Sequence, residues 1–496
     1  MKRRTLWNRW TRHLPVIALL SLGCVVPDGP ASTASGPTAT NRFNVLFLAV
    51  DDLRPELGCY GVDYVRTPHI DALADEGVTF LSHFASVPTC GASRYALLTG
   101  RSPGASGVRS GNQGLYQGAS ALSPELLPGA QSLPELFRRS GYQTTLIGKL
   151  SHTADGKVFA YNGEGDGRPE LPHAWDELAT PYGSWQRGWG TFFAYADGAH
   201  REDGTGRREL MEFVAEADDE LPDGMMASAA IDKLADLADS DEPFFLGLGF
   251  FKPHLPFVAT RSDWEAVQEW ELPDLKRTER LPSAYAPGSG EFFGYDTPWI
   301  KSRPLPADAA DQARRAYLAC LRYTDRQVGR VLDALDDLGL AESTVVVLWS
   351  DHGWFLGEGD IWGKHTPLER AMASPLIIRT PGAALAGQRT DALASTLDIY
   401  PTLIDLCRPT FTATHFPLDG ESLVPILSGQ VDSVSEVVRG YWNNASTVRS
   451  QGHRLILRKG ERGWRDVELY DAAGEWAVDI SDERPEVVLR LSAFVD

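Results

Sequence analysis

The stretch Asn44–Val50 reads NVLFLAV and is followed at once by Asp51 and Asp52. A continuous apolar run of this length is typical of a strand in a parallel sheet, because helices cover both faces of such a strand. The run therefore predicts a central strand of an α/β fold. The two carboxylates lie where that strand ends, which is where ligands bind in sheets of this kind.

Three further apolar runs, at residues 144–147, 243–251 and 344–349, also end in polar residues. Helical patterns at 132–140 and 313–338 lie between these runs. Alternation of strands and helices predicts an α/β sandwich around a mostly parallel sheet. The polar groups that the runs bring to one edge are Lys149 and His152, Lys252 and His254, and Asp351 and His352.

The composition is that of a globular protein, with 496 residues, 43% hydrophobic and 23% charged. A chain of this length is expected to divide into two or three folding units. Its formal net charge of −20 argues against a nucleic-acid binder, which needs a basic stripe. After residue 26 no apolar run approaches the ~20 residues of a membrane-spanning helix, so no transmembrane segment is predicted in the mature chain.

The start of the chain predicts export. Residues 1–26 have the basic beginning and short apolar core of a signal peptide. Residues 27–40 are rich in Pro, Ser, Thr, Ala and Gly, which predicts a flexible linker. The pair Arg3 and Arg4 is compatible with a twin-arginine signal, and the residues around Cys24 resemble a lipoprotein processing site. The predicted destinations are the periplasm, the cell envelope as a lipoprotein, and the medium.

The adjacent carboxylates Asp51 and Asp52 indicate a metal site. Two such charges about 4 Å apart repel by roughly 4 kcal/mol at an effective dielectric constant near 20. A divalent cation removes that repulsion, and carboxylate oxygens favour calcium or magnesium. Asp351 and His352 would complete the site from a second strand. The alternatives are that the pair caps a turn, that His352 is only a hydrogen-bonding neighbour, or that the metal is zinc, although no His/Cys cluster has zinc spacing.

Residues 90–101, CGASRYALLTGR, combine a cysteine with a helical pattern at 93–98. A cysteine at the start of a helix feels the positive end of the helix dipole. Free N–H groups there favour an anion, and Arg94 adds a planar donor for an oxyanion. On these residues alone, Cys90 is either a functional group or an inert buried thiol. A thiol protease would also need histidine and asparagine partners, which nothing in the sequence indicates specifically.

This segment resembles the signature of the sulfatase family, Cys-x-(Pro or Ala)-x-Arg followed by Leu-Thr-Gly-Arg. The resemblance runs from about residue 44 to the end of the chain and is closest to the branch formed by iduronate-2-sulfatase and its bacterial relatives. The other motifs that carry it are Asp51-Asp52-Leu53-Arg54-Pro55, Gly148-Lys149 with His152, Lys252-Pro253-His254, and Asp351-His352-Gly353-Trp354 with Lys364.

The resemblance implies the architecture of the alkaline-phosphatase-like superfamily. A large α/β sandwich with a mostly parallel central sheet is expected at residues 41–427, as the catalytic domain. A smaller C-terminal α+β subdomain with an antiparallel sheet is expected at residues 428–496. Its strands are predicted around residues 454–458 and 467–470.

The same resemblance implies the roles of the site residues. Asp51, Asp52, Asp351 and His352 would bind one Ca²⁺ per chain, with the side chain of Cys90 beside it. A maturation enzyme would oxidise Cys90 to formylglycine, and one hydroxyl of the aldehyde hydrate would attack sulfur while the second expels sulfate. The groups around the hydrate and the sulfate would be Arg94, Lys149, His152, His254 and Lys364. From the residues alone, a structural role for His152, His254 or Lys364 stays open.

These features predict an exported, calcium-dependent sulfuric ester hydrolase that acts on a sulfated oligo- or polysaccharide, similar to uronate 2-O-sulfatases. Two alternatives remain. One is a phosphodiester or phosphonate hydrolase of the same superfamily, and the other is a non-catalytic binder of sulfated glycans whose cysteine is never matured.

Overall fold

The computed structural model describes residues 42–275, 279–286, 289–461, 463–472 and 477–495. The predicted signal peptide, the predicted linker and Cys24 therefore lie outside the described residues. Among the described residues, no helix combines the length and the apolar character that crossing a bilayer requires. Residues Arg42–Asp496 form one compact unit, and the division at residue 427 stays a prediction.

In the described part of the chain, eight strands form the central sheet. They are β1 (Asn44–Val50), β2 (Val78–Phe84), β3 (Gln143–Gly148), β4 (Glu177–Leu178), β5 (Phe244–Phe250), β6 (Thr344–Ser350), β7 (Leu376–Arg379) and β8 (Gln388–Ser395). Their order across the sheet is β8-β2-β7-β6-β1-β5-β3-β4. Strand β7 runs antiparallel to both neighbours, and the other pairings are parallel. The predicted mostly parallel sheet is confirmed.

Helices cover both faces of this sheet. The α-helices of the described residues are α1 (Pro68–Glu76), α2 (Cys90–Thr99), α3 (Pro103–Ser106), α4 (Leu133–Arg139), α5 (Gly188–Phe192), α6 (Pro222–Ala238), α7 (Arg261–Gln268), α8 (Ala307–Asp337), α9 (Glu369–Met372), α10 (Ile399–Cys407), α11 (Val424–Leu427) and α12 (Pro485–Ser492). The long helix α8 begins before its predicted start at 313, because Ala309 and Ala310 are buried. Helix α2 begins at Cys90 itself, not after it.

The two faces of β1 belong to two separate cores. Leu46 and Leu48 pack with residues of α1, α6 and α8. Val45 and Phe47 pack with residues of α2, α4 and α10 on the other face. Because side chains alternate along a strand, a run buried on both faces must be apolar throughout, as NVLFLAV is. Among the residues that the structure describes, three short strand pairs lie outside the main sheets: Lys157–Phe159 with Gly165–Pro169, Met211–Ala215 with Phe257–Thr260, and Phe355–Leu356 with Trp362–Gly363.

A second, antiparallel sheet follows near the C-terminus, as predicted. Its strands, in order across the sheet, are β9 (Val438–Trp442), β10 (Ala445–Arg449), β11 (His453–Gly460) and β12 (Gly463–Asp471). Leu491 of α12 packs with apolar residues of this sheet. Glu369 of α9 pairs with Arg449 and Arg454, which ties the small sheet to the large part of the molecule.

The strands that position the site are neighbours. Strands β6, β1, β5 and β3 lie side by side and parallel, so their carboxyl ends meet at one edge. Val50 pairs with both Ser350 and Phe250, which brings the residues that follow these strands to one level. Gly249 permits a close approach of β5 to β3, since a Cβ there would lie 2.1 Å from the Lys149 carbonyl oxygen.

Candidate active site

Three buried carboxylates meet at the carboxyl end of β1. Oxygens of Asp51, Asp52 and Asp351 all lie within 4.8 Å of one another. The backbone of Asp52 is in the left-handed region, at φ 62°, and its N–H donates to Asp351 Oδ1 at 3.1 Å. A left-handed conformation is uncommon for a residue with a Cβ, and here it turns the second carboxylate toward the first.

The electrostatics of this carboxylate cluster favour binding of a cation. Burial raises the pKa of Asp52 well above its ordinary value; Lys364 opposes this rise, and the charges of Asp51 and Asp351 add to it. Burial and the charge of Asp51 raise the pKa of Asp351 to about 6. Among the described residues, Asp52 Oδ2 accepts no hydrogen bond although it is buried. A divalent cation would satisfy that oxygen and offset the repulsion, so the donor set fits a hard metal ion.

His352 has the geometry of a neutral ligand. Its Nδ1 lies 3.0 Å from the Gly353 carbonyl oxygen, to which it donates. This bond leaves the lone pair of Nε2 facing Asp52 Oδ1 at 3.4 Å and Cys90 Sγ at 3.4 Å. Burial and the charge of Lys364 lower its pKa well below the ordinary value, so the ring is neutral and free to bind a cation.

Cys90 is the first residue of α2 and is 3% exposed. Its Sγ lies 3.3 Å from Lys364 Nζ and 4.0 Å from Asp52 Oδ1. Burial and the charge of Asp51 raise the pKa of the thiol well above its ordinary value, although Lys149 and Lys364 act in the opposite direction. A catalytic thiolate needs a lowered pKa. The unmodified thiol is therefore a poor nucleophile, which argues against the thiol-protease alternative.

Arg94 and Lys149 pair with the carboxylates behind Cys90. Arg94 donates from Nη2 to Asp51 Oδ1 and from Nε to Asp351 Oδ2, both at 3.0 Å. Lys149 Nζ lies 2.6 Å from Asp51 Oδ2. Burial alone would raise the pKa of Asp51, but Lys149 and Arg94 lower it well below the ordinary value. Arg94 is wholly buried, and its contacts orient the carboxylates, whereas Lys149 also lines the cleft.

Lys364 and His254 approach the cluster from the other side. Lys364 Nζ lies 2.7 Å from Asp52 Oδ1. Burial would lower the pKa of Lys364, but the charge of Asp52 raises it well above the ordinary value, so the amine stays charged. His254 Nε2 lies 3.8 Å from Asp52 Oδ2, and its Nδ1 donates to the Leu255 carbonyl oxygen at 2.6 Å.

Neighbouring residues hold His254 and His152 in place. Lys252 Nζ donates to the carbonyl oxygens of His254 and Pro256, at 3.0 and 2.6 Å, and so fixes the loop after β5. The ring of His152 packs against Trp189 with ring centroids 5.5 Å apart. Its backbone N–H donates to Glu170 at 3.2 Å. Within the described residues its Nδ1 has no partner.

Cys90, Lys149, His152, His254 and Lys364 form the floor of a cleft of about 320 Å³. The structure thus brings together every residue that the sequence singled out for the site, with Arg94 and the carboxylates beneath the floor. The cleft also has walls that the sequence did not indicate: Thr89, Asn112, Tyr161, Phe192, Phe193, Ser289, Glu291 and His365. Two of these residues are sequence neighbours of site residues: Thr89 precedes Cys90, and His365 follows Lys364.

Comparison with known proteins identifies the class to which this fold and site belong. The sequence model of the family described as Sulfatase matches residues 43–408. The chain is 31% identical over 437 residues to the iduronate 2-sulfatase of Mus musculus, covering 80% of this chain and 73% of that protein. It is 30% identical over 491 residues to a sulfatase of Formosa agariphila, covering 94% of this chain and 87% of that protein.

Two solved structures share the fold. The phosphonate monoester hydrolase of Agrobacterium radiobacter superposes with a TM-score of 0.71 at 22% identity, covering 92% of this chain and 95% of that one. A protein solved in complex with its substrate D-glucosamine-2-N,6-O-disulfate superposes with a TM-score of 0.67 at 21% identity, covering 92% and 97%.

Proposed function

This chain is a sulfatase and belongs to the sulfatase family, and from that premise we propose that it removes an O-sulfate group from a sulfated carbohydrate by means of an oxidised Cys90. One observation carries the proposal: the Sγ of Cys90 lies 3.3 Å from Lys364 Nζ and 3.4 Å from His352 Nε2, at the floor of an open cleft. The sulfur stands where the oxygen of a formylglycine aldehyde would lie.

The proposed substrate is a 2-O-sulfated uronate in an oligo- or polysaccharide. The support is the 31% identity to iduronate 2-sulfatase over most of both chains. The cleft is open and polar at its floor, which suits a sugar that presents a sulfate ester to buried cations.

The proposed metal is one Ca²⁺, held by Asp51, Asp52, Asp351 and His352. A bound divalent cation would offset the negative charge that builds up on the sulfuryl oxygens. Three carboxylates with one imidazole are oxygen-rich, which favours a hard cation over zinc. Arg94 and Lys149 fix the two carboxylates on the inner side, so that the ligands are oriented before any cation enters.

The remaining residues have roles that follow from their positions. An aldehyde at residue 90 would be hydrated and so would supply two hydroxyl groups. One would attack sulfur as the bond from sulfur to the sugar oxygen breaks; the other would lose its proton so that the aldehyde re-forms and sulfate leaves. The amine of Lys149 forms an ion pair with Asp51 and also faces the cleft, where it can bind a sulfate oxygen. Lys364 stays charged and can donate to the oxygen of the leaving sugar. His254 presents Nε2, and His152 its ring, to the same space.

Maturation and export complete the proposal. A formylglycine-generating enzyme must act on Cys90 before the chain folds, because the thiol is buried in the folded protein. Export to the periplasm, the cell envelope or the medium remains a prediction from residues 1–40. So does the absence of nucleic acid among the partners, which follows from the net charge of −20.

The test compares an aryl sulfate with an aryl phosphonate as substrates of the matured enzyme, because a phosphonate monoester hydrolase shares the fold. We expect kcat/KM to favour the sulfate by at least about 10³-fold, or about 4 kcal/mol of transition-state stabilisation. A preference for the phosphonate would replace the proposal with the phosphonate hydrolase alternative. Binding of sulfated glycans without turnover of either ester, with an unmodified thiol at residue 90, would favour the non-catalytic binder.

A further inference from the structure

Glu291 is a carboxylate in the wall of the cleft to which the mechanism above gives no role. Its Oε1 lies 3.5 Å from His254 Nε2, and its Oε2 lies 3.8 Å from Lys364 Nζ. Both distances exceed those of a good hydrogen bond, and neither oxygen accepts one from any residue that the structure describes. The side chain is 24% exposed, so water can solvate it while the cleft is empty.

A bound sulfate ester changes the surroundings of this carboxylate. The sulfate must lie against Lys364 and His254, the two groups that flank Glu291. Substrate binding also removes water from the cleft, which strengthens every electrostatic interaction there. A carboxylate next to an incoming anion is then unfavourable unless it receives hydrogen bonds from the substrate.

A sugar sulfate offers such donors close to the ester. In a 2-O-sulfated uronate the carbon at position 3 lies next to the sulfated carbon and carries a hydroxyl group; some amino sugars have an ammonium group at such a position. A group at that place is within reach of a side chain that borders both the sulfate and the opening of the cleft. A second sulfate at the same place would meet Glu291 with like charge.

We propose that Glu291 is a specificity-determining residue that accepts a hydrogen bond from a hydroxyl or ammonium group on the sugar carbon next to the sulfate ester. The inference rests on the proposed function and narrows its substrate class. Sugars with a free donor at that carbon are accepted, and vicinally disulfated sugars are rejected. A 2-O-sulfated uronate with a free 3-hydroxyl belongs to the accepted class.

The competing explanation is a positioning role, in which Glu291 acts only by holding Lys364 or His254. The two explanations differ in what they predict for a substrate without the neighbouring hydroxyl. A positioning residue affects substrates with and without that hydroxyl equally. A residue that binds the hydroxyl affects only the substrate that has it.

The experiment measures kcat/KM for the methyl glycoside of a 2-O-sulfated uronate and for its 3-deoxy analogue. We expect the matured wild type to prefer the hydroxyl-bearing sugar by about tenfold, the value of a hydrogen bond to a charged group. In Glu291→Ala that preference should fall to near one, mainly through KM. Glu291→Gln should keep part of it, because the amide oxygen still accepts. Glu265→Gln, an exposed change on α7, should keep all of it.

Retention of the full preference in Glu291→Ala, with both sugars slowed equally, would overturn the inference and leave the sulfatase function standing. Failure of the wild type to hydrolyse the 2-O-sulfated sugar would overturn the proposed substrate and, with it, the inference built on that substrate. The two failures are therefore distinguishable.

Discussion

At the scale of single residues, the proposed chemistry depends on Cys90, whose surroundings do not suit a thiolate nucleophile. The thiol of Cys90 has a raised pKa, because burial and the nearby charge of Asp51 disfavour the thiolate. Yet Lys364 Nζ lies 3.3 Å from its Sγ, where a cation would stabilise a group that carries negative charge. An oxidised, hydrated residue 90 reconciles the two observations, because it does not require a thiolate.

Cys90→Ser tests this argument. Serine has nearly the same shape but cannot form a geminal diol, so sulfate release should fall by at least about 10³-fold. The melting temperature should stay within a few degrees of the wild type. Cys407→Ser, which places a hydroxyl at another buried thiol position, controls for loss of packing and should retain turnover. Full activity in Cys90→Ser would contradict the proposed mechanism.

Asp52→Asn tests the metal site. For the chelator-treated wild type, Ca²⁺ at 100 times its Kd should add about 2.7 kcal/mol to the free energy of unfolding. Loss of one carboxylate ligand should weaken binding at least about tenfold, which reduces the gain at the same concentration to about 1.4 kcal/mol. Thermal unfolding with and without Ca²⁺ measures the difference. The control Asp232→Asn, on the exposed side of α6, should be stabilised by Ca²⁺ as much as the wild type is. If Ca²⁺ also stabilised Asp52→Asn as much as the wild type, this carboxylate would be excluded as a ligand.

At the scale of elements, the site depends on how closely β5 approaches β3. Gly249 of β5 has no side chain, and a Cβ there would lie 2.1 Å from the carbonyl oxygen of Lys149. The contact is with backbone, so it cannot be relieved by a rotamer change. The spacing of the two strands sets where Lys149 and His254 stand relative to Asp51.

Gly249→Ala should therefore force β5 and β3 apart. We expect a loss of about 1–3 kcal/mol in unfolding free energy, as is usual for overpacking. Displacement of Lys149 by a fraction of an ångström to 1 Å should lower kcat by up to about 100-fold. Urea unfolding and sulfate-release assays measure the two effects. Gly452→Ala, where a Cβ would meet nothing within 4 Å, is the control; equal effects of both changes would show that the close approach is unimportant.

The sequence predicts a large part of the site because several of its residues directly follow strands. Asp51, Lys149, Lys252 and Asp351 each come after an apolar run, and parallel strands bring such positions to one edge. Cys90 begins a helix, and Lys364 follows the two-residue strand Trp362–Gly363, which is too short to give an apolar run. The family signature and its motifs indicated these two residues. The first turn of α8 is not predicted, because Ala307–Ala310 give only a weak apolar pattern.

The walls of the cleft were not predictable in the same way. Asn112 accepts a hydrogen bond from the N–H of Gly91 at 2.9 Å, and Glu291 borders Lys364. Both residues belong to loops whose course is set by tertiary packing, so no local sequence pattern predicts their place in the cleft. These walls of the cleft therefore emerge only from the three-dimensional structure.

At the scale of the whole molecule, a small set of charges joins the C-terminal sheet to the large one. Glu369 of α9 pairs with Arg449 and Arg454, and Arg454 is 2% exposed. A buried cation that loses its partner is costly. The C-terminal sheet also reaches the cleft, because Trp442 stacks on His365 with ring centroids 4.9 Å apart.

Glu369→Gln should lower the free energy of unfolding by about 2 kcal/mol, less than for a fully buried pair because Glu369 is 21% exposed. Burial would raise the pKa of Glu369, but Arg454 and Arg449 lower it below its ordinary value. Its contribution is therefore present above the unfolded pKa and lost as pH falls through the folded one. Urea unfolding at neutral and acidic pH should show the difference shrinking on the acid side. Glu242→Gln, at an exposed loop, should change little, and a matching loss there would refute the assignment.

The central claim is tested most directly by purifying the enzyme from its native host and measuring the mass of one tryptic peptide. This peptide spans residues 67–94 and contains Cys90 as its one cysteine. The account predicts a peptide whose residue 90 has lost sulfur and gained an aldehyde that reacts with hydrazide reagents. A catalytically active preparation in which that peptide carries only an intact thiol would contradict it.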